Sequence, residues 1–232
     1  MRILIACEQS GVVRNAFRAR GHNAWSCDLL PASDGSPFHF KCDVLDLLIG
    51  EQMVGCGLRH GRWEAMLAHP PCDYLTNSAA WAYADPDYER YPGIGYHQKV
   101  KPETLTGEAR RKAREEASTF FLALWKARIP RIAIENPIGH MNRHPELPRP
   151  QIIQPHQFGE DASKGTCVWL KGLPPLRGTK DIPPRIVNGR PRWANQTDSG
   201  QNRLSPSEDR ATIRAVTYAG IADAMASQWG AL

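Results

Sequence analysis

Residues 2–28 read RILIACEQSGVVRNAFRARGHNAWSCD, and this stretch decides the fold class. RILIAC (2–7) is an unbroken apolar run of strand length, consistent with a strand covered on both faces. The turn residues EQSG follow. In VVRNAFRARG (12–21) the apolar side chains Val12, Val13, Ala16, Phe17 and Ala19 fall on one helical face. Arginines take the other face, and Gly21 is a good helix stop. HNAWSCD (22–28) is a second strand that ends in an acid. Strand, helix and strand in this order form the unit of a parallel, doubly wound α/β sheet.

The pattern continues outward from there. FHFKCDV (38–44) holds a third short strand ending near Asp43, and WEAMLAH (63–69) a fourth. Residues 82–105 show no periodicity and read as one long loop. TGEARRKAREEASTFFLALWKAR (106–128) has the clearest helical spacing in the chain. IPRIAIENP (129–137) is a strand running into a proline-terminated turn. QIIQ (151–154) and TCVWL (166–170) are further strand candidates, and a final helix covers roughly 207–229. No internal repeat interrupts the chain.

The totals fit a soluble globular protein. The chain has 232 residues, 41% of them hydrophobic, enough for one large domain or two small ones. A net charge of +5 is a mild basic excess, compatible with a polyanionic partner. The six cysteines are scattered with no CxxC pair, which argues against a structural zinc site. They suit a reducing, cytoplasmic compartment. The opening apolar run is too short for a signal peptide, and no stretch is long enough to cross a membrane.

In open α/β sheets, ligands sit at the carboxyl ends of the strands. The first such turn is CEQSG (7–11), where small residues let a ligand approach N–H groups at a helix N-terminus. Asp28 closes the second strand and can accept from ribose hydroxyls; Asp43 closes the third and can hold an adenine amino group. There is no GxGxxG, which disfavours a pyrophosphate-bearing dinucleotide and favours a phosphate-free nucleoside such as S-adenosylmethionine. The alternative is a generic α/β turn with solvated acids.

Two strands end in rigid loops. AHPPCDY (68–74) places Cys72 directly after Pro70 and Pro71, and ENP places Glu135 before Asn136 and Pro137. If both strands are parallel, both loops share one sheet edge. A thiolate is a soft nucleophile at carbon, and a carboxyl can protonate or hold a ring nitrogen. Together they suit attack on C6 of a pyrimidine. Taken singly, Cys72 also reads as a buried turn cysteine and Glu135 as a surface acid.

The ordered set of motifs resembles the cytosine-C5 DNA methyltransferase family. ILIACEQSG resembles its first cofactor motif, PPC its nucleophile loop and ENP its Glu-Asn-Val motif. HQFGEDASKGTCVWL (156–170), NRLSPSEDRATI (202–213) and TYAGIADAMA (217–226) resemble its later motifs, in family order. The resemblance implies a Rossmann-like S-adenosylmethionine-dependent methyltransferase fold. Its catalytic residues would be Cys72 as nucleophile, Glu135 as base contact, Asn136 fixing the Glu135 rotamer, and Lys164 in place of a degraded arginine motif. The cofactor side would draw on Cys7, Glu8, Ser10, Gly11, Asp28, Leu29, Asp43, Val44, His69 and Pro70.

The chain departs from the family at the target-recognition region, which shrinks to residues 171–201 inside a catalytic domain of 1–170 and 202–232. That insertion is basic, and with Trp81 and Arg203 it supplies Lys171, Arg177, Arg190 and Arg192 as DNA contacts. Basic residues with an aromatic suit phosphates more than bases, which implies weak or very short sequence specificity. This compact pattern resembles small phage and prophage methyltransferases. The expected partner is DNA, without metal or membrane, for a monomer. The aromatic 82–105 loop could close over a flipped base as a lid, or be an aromatic-anchored surface loop. The competing readings are an amino-methyltransferase acting on cytosine N4 or adenine N6, and a DNA-binding protein that keeps the fold without catalysis. HPPC lacks the leading Asp or Asn that the amino class needs.

Overall fold

A computed structural model describes residues 1–49, 62–205 and 210–232. Strand β1 (Arg2–Ala6), helix α1 (Val12–Arg18) and strand β2 (Asn23–Asp28) form the expected opening unit. β3 (His39–Lys41), α2 (Val44–Ile49), β4 (Ala65–Ala68), α3 (Gly107–Trp125), β5 (Arg131–Pro137), β6 (Gln151–Ile153) and β7 (Thr166–Lys171) follow. A small hairpin, β8 (Arg185–Val187) and β9 (Arg190–Arg192), precedes α4 (Arg210–Ala215) and α5 (Ala219–Trp229).

The main sheet has seven strands in the order β3-β2-β1-β4-β5-β7-β6. β3, β2, β1, β4 and β5 are parallel neighbours, and β7 runs antiparallel to both β5 and β6. This is the Rossmann-like, mostly parallel α/β fold expected from the opening stretch. The strand order reverses direction between β1 and β4, so the crevice for a ligand opens at their carboxyl ends.

Helices cover both faces, which is why the central strands read as continuous apolar runs rather than alternating ones. On one face Ile3, Ile5, Leu67, Ala133 and Val168 pack beneath α1 and α5 through Val13, Phe17, Met225 and Trp229. On the other, Leu4, Met66, Ile132, Ile134 and Trp169 pack beneath α3 through Phe121 and Leu124. Alternation along β5 therefore sends Ala133 and Glu135 to the α5 side, and Ile134 and Asn136 to the α3 side.

Several expectations need correction. The third strand ends at Lys41 rather than near Asp43, and two residues later α2 begins at Val44, which is 4% exposed and part of the core rather than a cofactor contact. The single final helix is two helices broken at 216–218; the first part of its expected range, 207–209, lies outside the described residues, as does Cys56. Of residues 171–201, expected as an insertion, Lys171 belongs to β7 of the main sheet, and the rest contain the β8–β9 hairpin, turned by Asn188 and Gly189 at φ 50° and 72°. Asn-Gly between two short strands is the sequence signal for such a turn.

The aromatic loop is anchored from within. It opens on a 3-10 turn, Ala80–Tyr83. Arg114 of α3 lies 3.2 Å over the Tyr83 ring and donates to the Tyr74 carbonyl at 3.1 Å. Tyr83 Oη donates to the same carbonyl at 2.7 Å. Trp81 packs edge-on against Tyr96 and His97, and Tyr96 is buried. Among the rings of this loop, Tyr88 is exposed.

Candidate active site at the carboxyl edge

β1, β4 and β5 deliver the turn after Ala6, the HPPC loop and the ENP segment to one edge of the sheet. The first turn differs from the expectation of open helix amides. Glu8 is buried, and its carboxylate accepts from the N–H groups of Val13 at 2.7 Å and Arg14 at 3.2 Å. The protein's own acid thus caps α1, so those amides are not free for a ligand anion. Burial pushes the Glu8 carboxyl up, against the pull of His69 and of the two amides.

Gly11 is held at φ 74°, and a Cβ there would stand 2.2 Å from Arg14 Nη2. Arg14 is fully buried, ion-paired with Asp34 and donating to Ser26 Oγ at 2.8 Å. The required glycine is therefore explained by the arginine folded beneath the turn.

Cys7, Asp28 and Asp43 converge beyond β1, β2 and β3. Burial raises the Cys7 thiol to about 12, and the Asp28 and Asp43 carboxylates add to that. Asp28 accepts from Leu30 N–H and Asp43 from Leu45 N–H, each at 2.9 Å, so both acids are oriented by their own turns. Leu29, next to Asp28, is 69% exposed.

On the α5 side of β5, His69 Nδ1 stands 3.5 Å from Glu135 Oε2. Burial alone would raise the Glu135 carboxyl. The His69 hydrogen bond and charge, Lys164 and the Thr166 hydroxyl outweigh it and hold the group below its ordinary range. A shallow cleft opens here, lined by Glu135, Lys164, Thr166, Thr217 and Tyr218 with the apolar side chains of Ile153, Ile221 and Met225. Lys164 Nζ donates to the Arg214 carbonyl at 2.8 Å, joining the loop before β7 to the end of α4. Asn195 fastens the same loop by accepting from Ser163 N–H at 3.0 Å and donating to Ser163 O at 2.9 Å.

Cys72 is exposed, and its own carbonyl accepts from Leu75 and Thr76 N–H, each at 3.0 Å. It is outside the cleft lining but within electrostatic reach of Glu135 and Lys164. Burial pushes the thiol up, Asp73 and Glu135 push it further, and Lys164 pulls the other way.

Asn136 takes a different place from the one the resemblance implies. It faces away from Glu135 and donates through Nδ2 to the Pro70 carbonyl at 3.0 Å, fixing the cysteine loop instead of the Glu135 rotamer. Gly139 presses on the same loop; a Cβ there would be 2.0 Å from the Leu75 carbonyl oxygen.

The expected DNA contacts divide. Lys171 ends β7, and because β7 is antiparallel it lies opposite Ile132 at the far edge of the sheet. There it donates to the Trp125 and Ala127 carbonyls at the end of α3. Arg177 is paired through its backbone with Gln228 near the end of α5. Arg192 and Arg203 donate to the carbonyls of Asp198 and Gln196. Trp81 is half-buried in the aromatic loop. Arg190, on the hairpin, is exposed. The sequence reading named none of Thr166, Asn195 and Tyr218 individually, although Thr166 and Tyr218 lie inside its motif-like segments 156–170 and 217–226; Asn195 carried no visible signal.

No family model matches the chain, and no curated protein matches it. Among solved structures, the chain is similar to a prophage-encoded E. coli protein proposed to be a DNA modification methyltransferase. The identity is 11% and the TM-score 0.46, over 78% of this chain and 52% of that one. The chain spans about half the length of that structure. Among the described residues, no helix is long and apolar enough to cross a membrane, and no group of three or more His, Cys, Asp or Glu is placed to hold a metal.

Proposed function

We propose that the protein is an S-adenosylmethionine-dependent DNA methyltransferase acting at C5 of cytosine, with weak or very short sequence specificity. The observation that carries this reading is that the parallel strands β1, β4 and β5 end at one sheet edge, where Cys72 stands within electrostatic reach of Glu135 and Lys164. A pyrimidine needs a soft nucleophile at C6 and a carboxyl at the N3 side, and this edge offers both.

The donor set fits the cofactor. Glu8 already fills the α1 amides, so a phosphate would find no amide there, whereas a phosphate-free nucleoside needs none. Asp28 and Asp43 offer acceptors for hydroxyl and amino groups, and exposed Leu29 offers an apolar plate for a purine. When bound, this group supplies an electrophilic methyl.

The chain's own residues do the rest. A cytosine inside a stacked duplex keeps C6 out of reach, so the base leaves the stack. The prolines and Asn136 hold the Cys72 loop while its sulfur attacks C6. Glu135 holds N3 and the exocyclic amine as charge grows on the ring, and Lys164 faces the same charge. Attack makes C5 nucleophilic; after transfer, loss of the C5 proton expels the thiol.

The test is nucleoside mass spectrometry after incubation with S-adenosylmethionine and unmethylated DNA. 5-Methylcytosine is expected from the wild type and not from Cys72→Ala. N4-methylcytosine or N6-methyladenine would overturn the reading. A duplex containing 5-fluorocytosine should trap a covalent adduct at Cys72.

A further inference from the structure

The proline loop leaves one residue unexplained. His69 stands between Ala68, the last residue of β4, and the two prolines, with 10% of its side chain exposed. Its Nδ1 faces Glu135 on β5. Its Nε2 is buried and has no hydrogen-bond partner. The Glu8 carboxylate, fixed by the α1 amides in the turn after β1, acts electrostatically on the same ring. One acid from that turn and one from β5 thus act on a single imidazole just past the end of β4.

We infer that His69 is a positioning residue that works through Glu135, passing a proton to that carboxylate from Nδ1 and taking it back, with Glu8 as the fixed counter-charge. The inference rests on the proposed cytosine chemistry for the step it serves. As Cys72 attacks C6 and charge reaches N3, the Nδ1–H bond of protonated His69 breaks and an O–H bond forms on Glu135. That O–H bond then breaks as N3–H forms, leaving His69 neutral. When the thiol leaves C6, the proton returns by the same route. No oxidant or further reactant is required.

The charged and titratable groups around this path come from every neighbouring element. Glu8 faces His69 from the β1–α1 turn, itself beside Arg14 of α1. Lys164 faces Glu135 from the loop before β7, and Cys72 from the loop after β4. Tyr218 lines the cleft from the start of α5. A carboxylate facing Lys164 alone would stay ionised and could only accept hydrogen bonds. An imidazole beside it adds a nitrogen that can carry a proton to and from that carboxylate.

The experiment follows carboxyl and imidazole titrations by NMR in the full chain, with Glu8→Gln and Glu135→Gln assigning the signals. In His69→Asn, whose amide still offers a donor near the Nδ1 position, the Glu135 midpoint should rise. With His69 in place, Glu8→Gln should displace the pH profile of single-turnover methyl transfer from that of the wild type, which tests the cluster even if His69→Asn does not fold. Unchanged midpoints would overturn the inference. Single-turnover methyl transfer by His69→Asn should fall by about 10²-fold, with its pH profile displaced from that of the wild type. Lost activity with an unmoved Glu135 titration would mean a packing role and would also overturn it. If the wild type makes no 5-methylcytosine, the proposed function fails while the titrations still decide the role of His69.

Discussion

Asn136 donates a hydrogen bond to the Pro70 carbonyl, 3.0 Å away, and so joins the end of β5 to the loop that carries Cys72. The amide is 1% exposed, and Pro70 is buried as well. Removing the donor leaves a buried carbonyl without its partner, at a cost of about 1–3 kcal/mol. Asn136→Ala should lower stability by that amount in urea titrations. Methyl transfer should fall further than the unfolded fraction explains, because the sulfur loses its anchor. Asn136→Asp should be worse at neutral pH, where two acceptors oppose each other, and should recover as acid protonates the new carboxyl.

The second prediction concerns Cys72 itself. Burial and the Asp73 and Glu135 carboxylates hold the thiol above its ordinary range. Only the thiolate attacks, so a raised pKa moves the rise of reactivity to higher pH. Asp73→Asn removes one opposing charge and should shift the alkylation profile of Cys72 toward lower pH. Iodoacetamide labelling, read by peptide mass spectrometry, checks this directly, since Cys72 is exposed while Cys27 and Cys167 are buried. An unchanged profile would show that Asp73 does not help set the thiol.

How much of this was legible depends on the kind of signal. β1, α1 and β2 are readable because their periods differ and Gly21 stops the helix. VLDLLI, the sequence of α2, has no such contrast: six mostly apolar residues beginning two positions after β3 fit a strand tail as well as a helix. The Glu135–Cys72 meeting followed from two parallel strands. The misplacement of Lys171 came from β7, whose antiparallel course puts its last residue at the opposite edge. Glu8 reads as a ligand contact in sequence because a cap reaching five residues forward leaves no compositional mark. His69 is visible, but its partner lies 66 positions away on another strand.

Arg14 and Asp34 give a prediction with a defined pH window. Arg14 is fully buried, whereas the Asp34 side chain is 33% exposed. Burial raises the Asp34 carboxyl, but hydrogen bonds from Asn15, Arg14 and Ser36 N–H outweigh it and bring it down to about 2. A lowered pKa means stability present above the unfolded value and lost as pH falls through the folded one. Asp34→Asn should therefore cost about 3 kcal/mol at neutral pH, mostly for leaving Arg14 buried and unpaired. The gap to the wild type should narrow between pH 4 and pH 2, about where the acid titrates. Adding Arg14→Met should restore part of the loss, because the unpaired charge is then gone.

The arginines of the hairpin separate architecture from DNA contact. Arg185 is engaged by Asp198 at 2.5 Å and by the Gln196 carbonyl, and Arg192 by the Asp198 and Pro191 carbonyls. Arg190 stands beside the Asn188-Gly189 turn and is exposed, so its charge is available to a phosphate at no structural cost. Arg190→Ala should weaken duplex binding several-fold and reduce the slope of log affinity against log salt by about 1, with thermal stability unchanged. Lys171→Ala should do the reverse. It removes two hydrogen bonds at the end of α3, lowering stability by about 1–3 kcal/mol, and leaves the salt slope alone. Fluorescence anisotropy across a salt series, paired with thermal melts, reads both. A loss of slope in Lys171→Ala would place the DNA on the opposite edge of the sheet from Cys72.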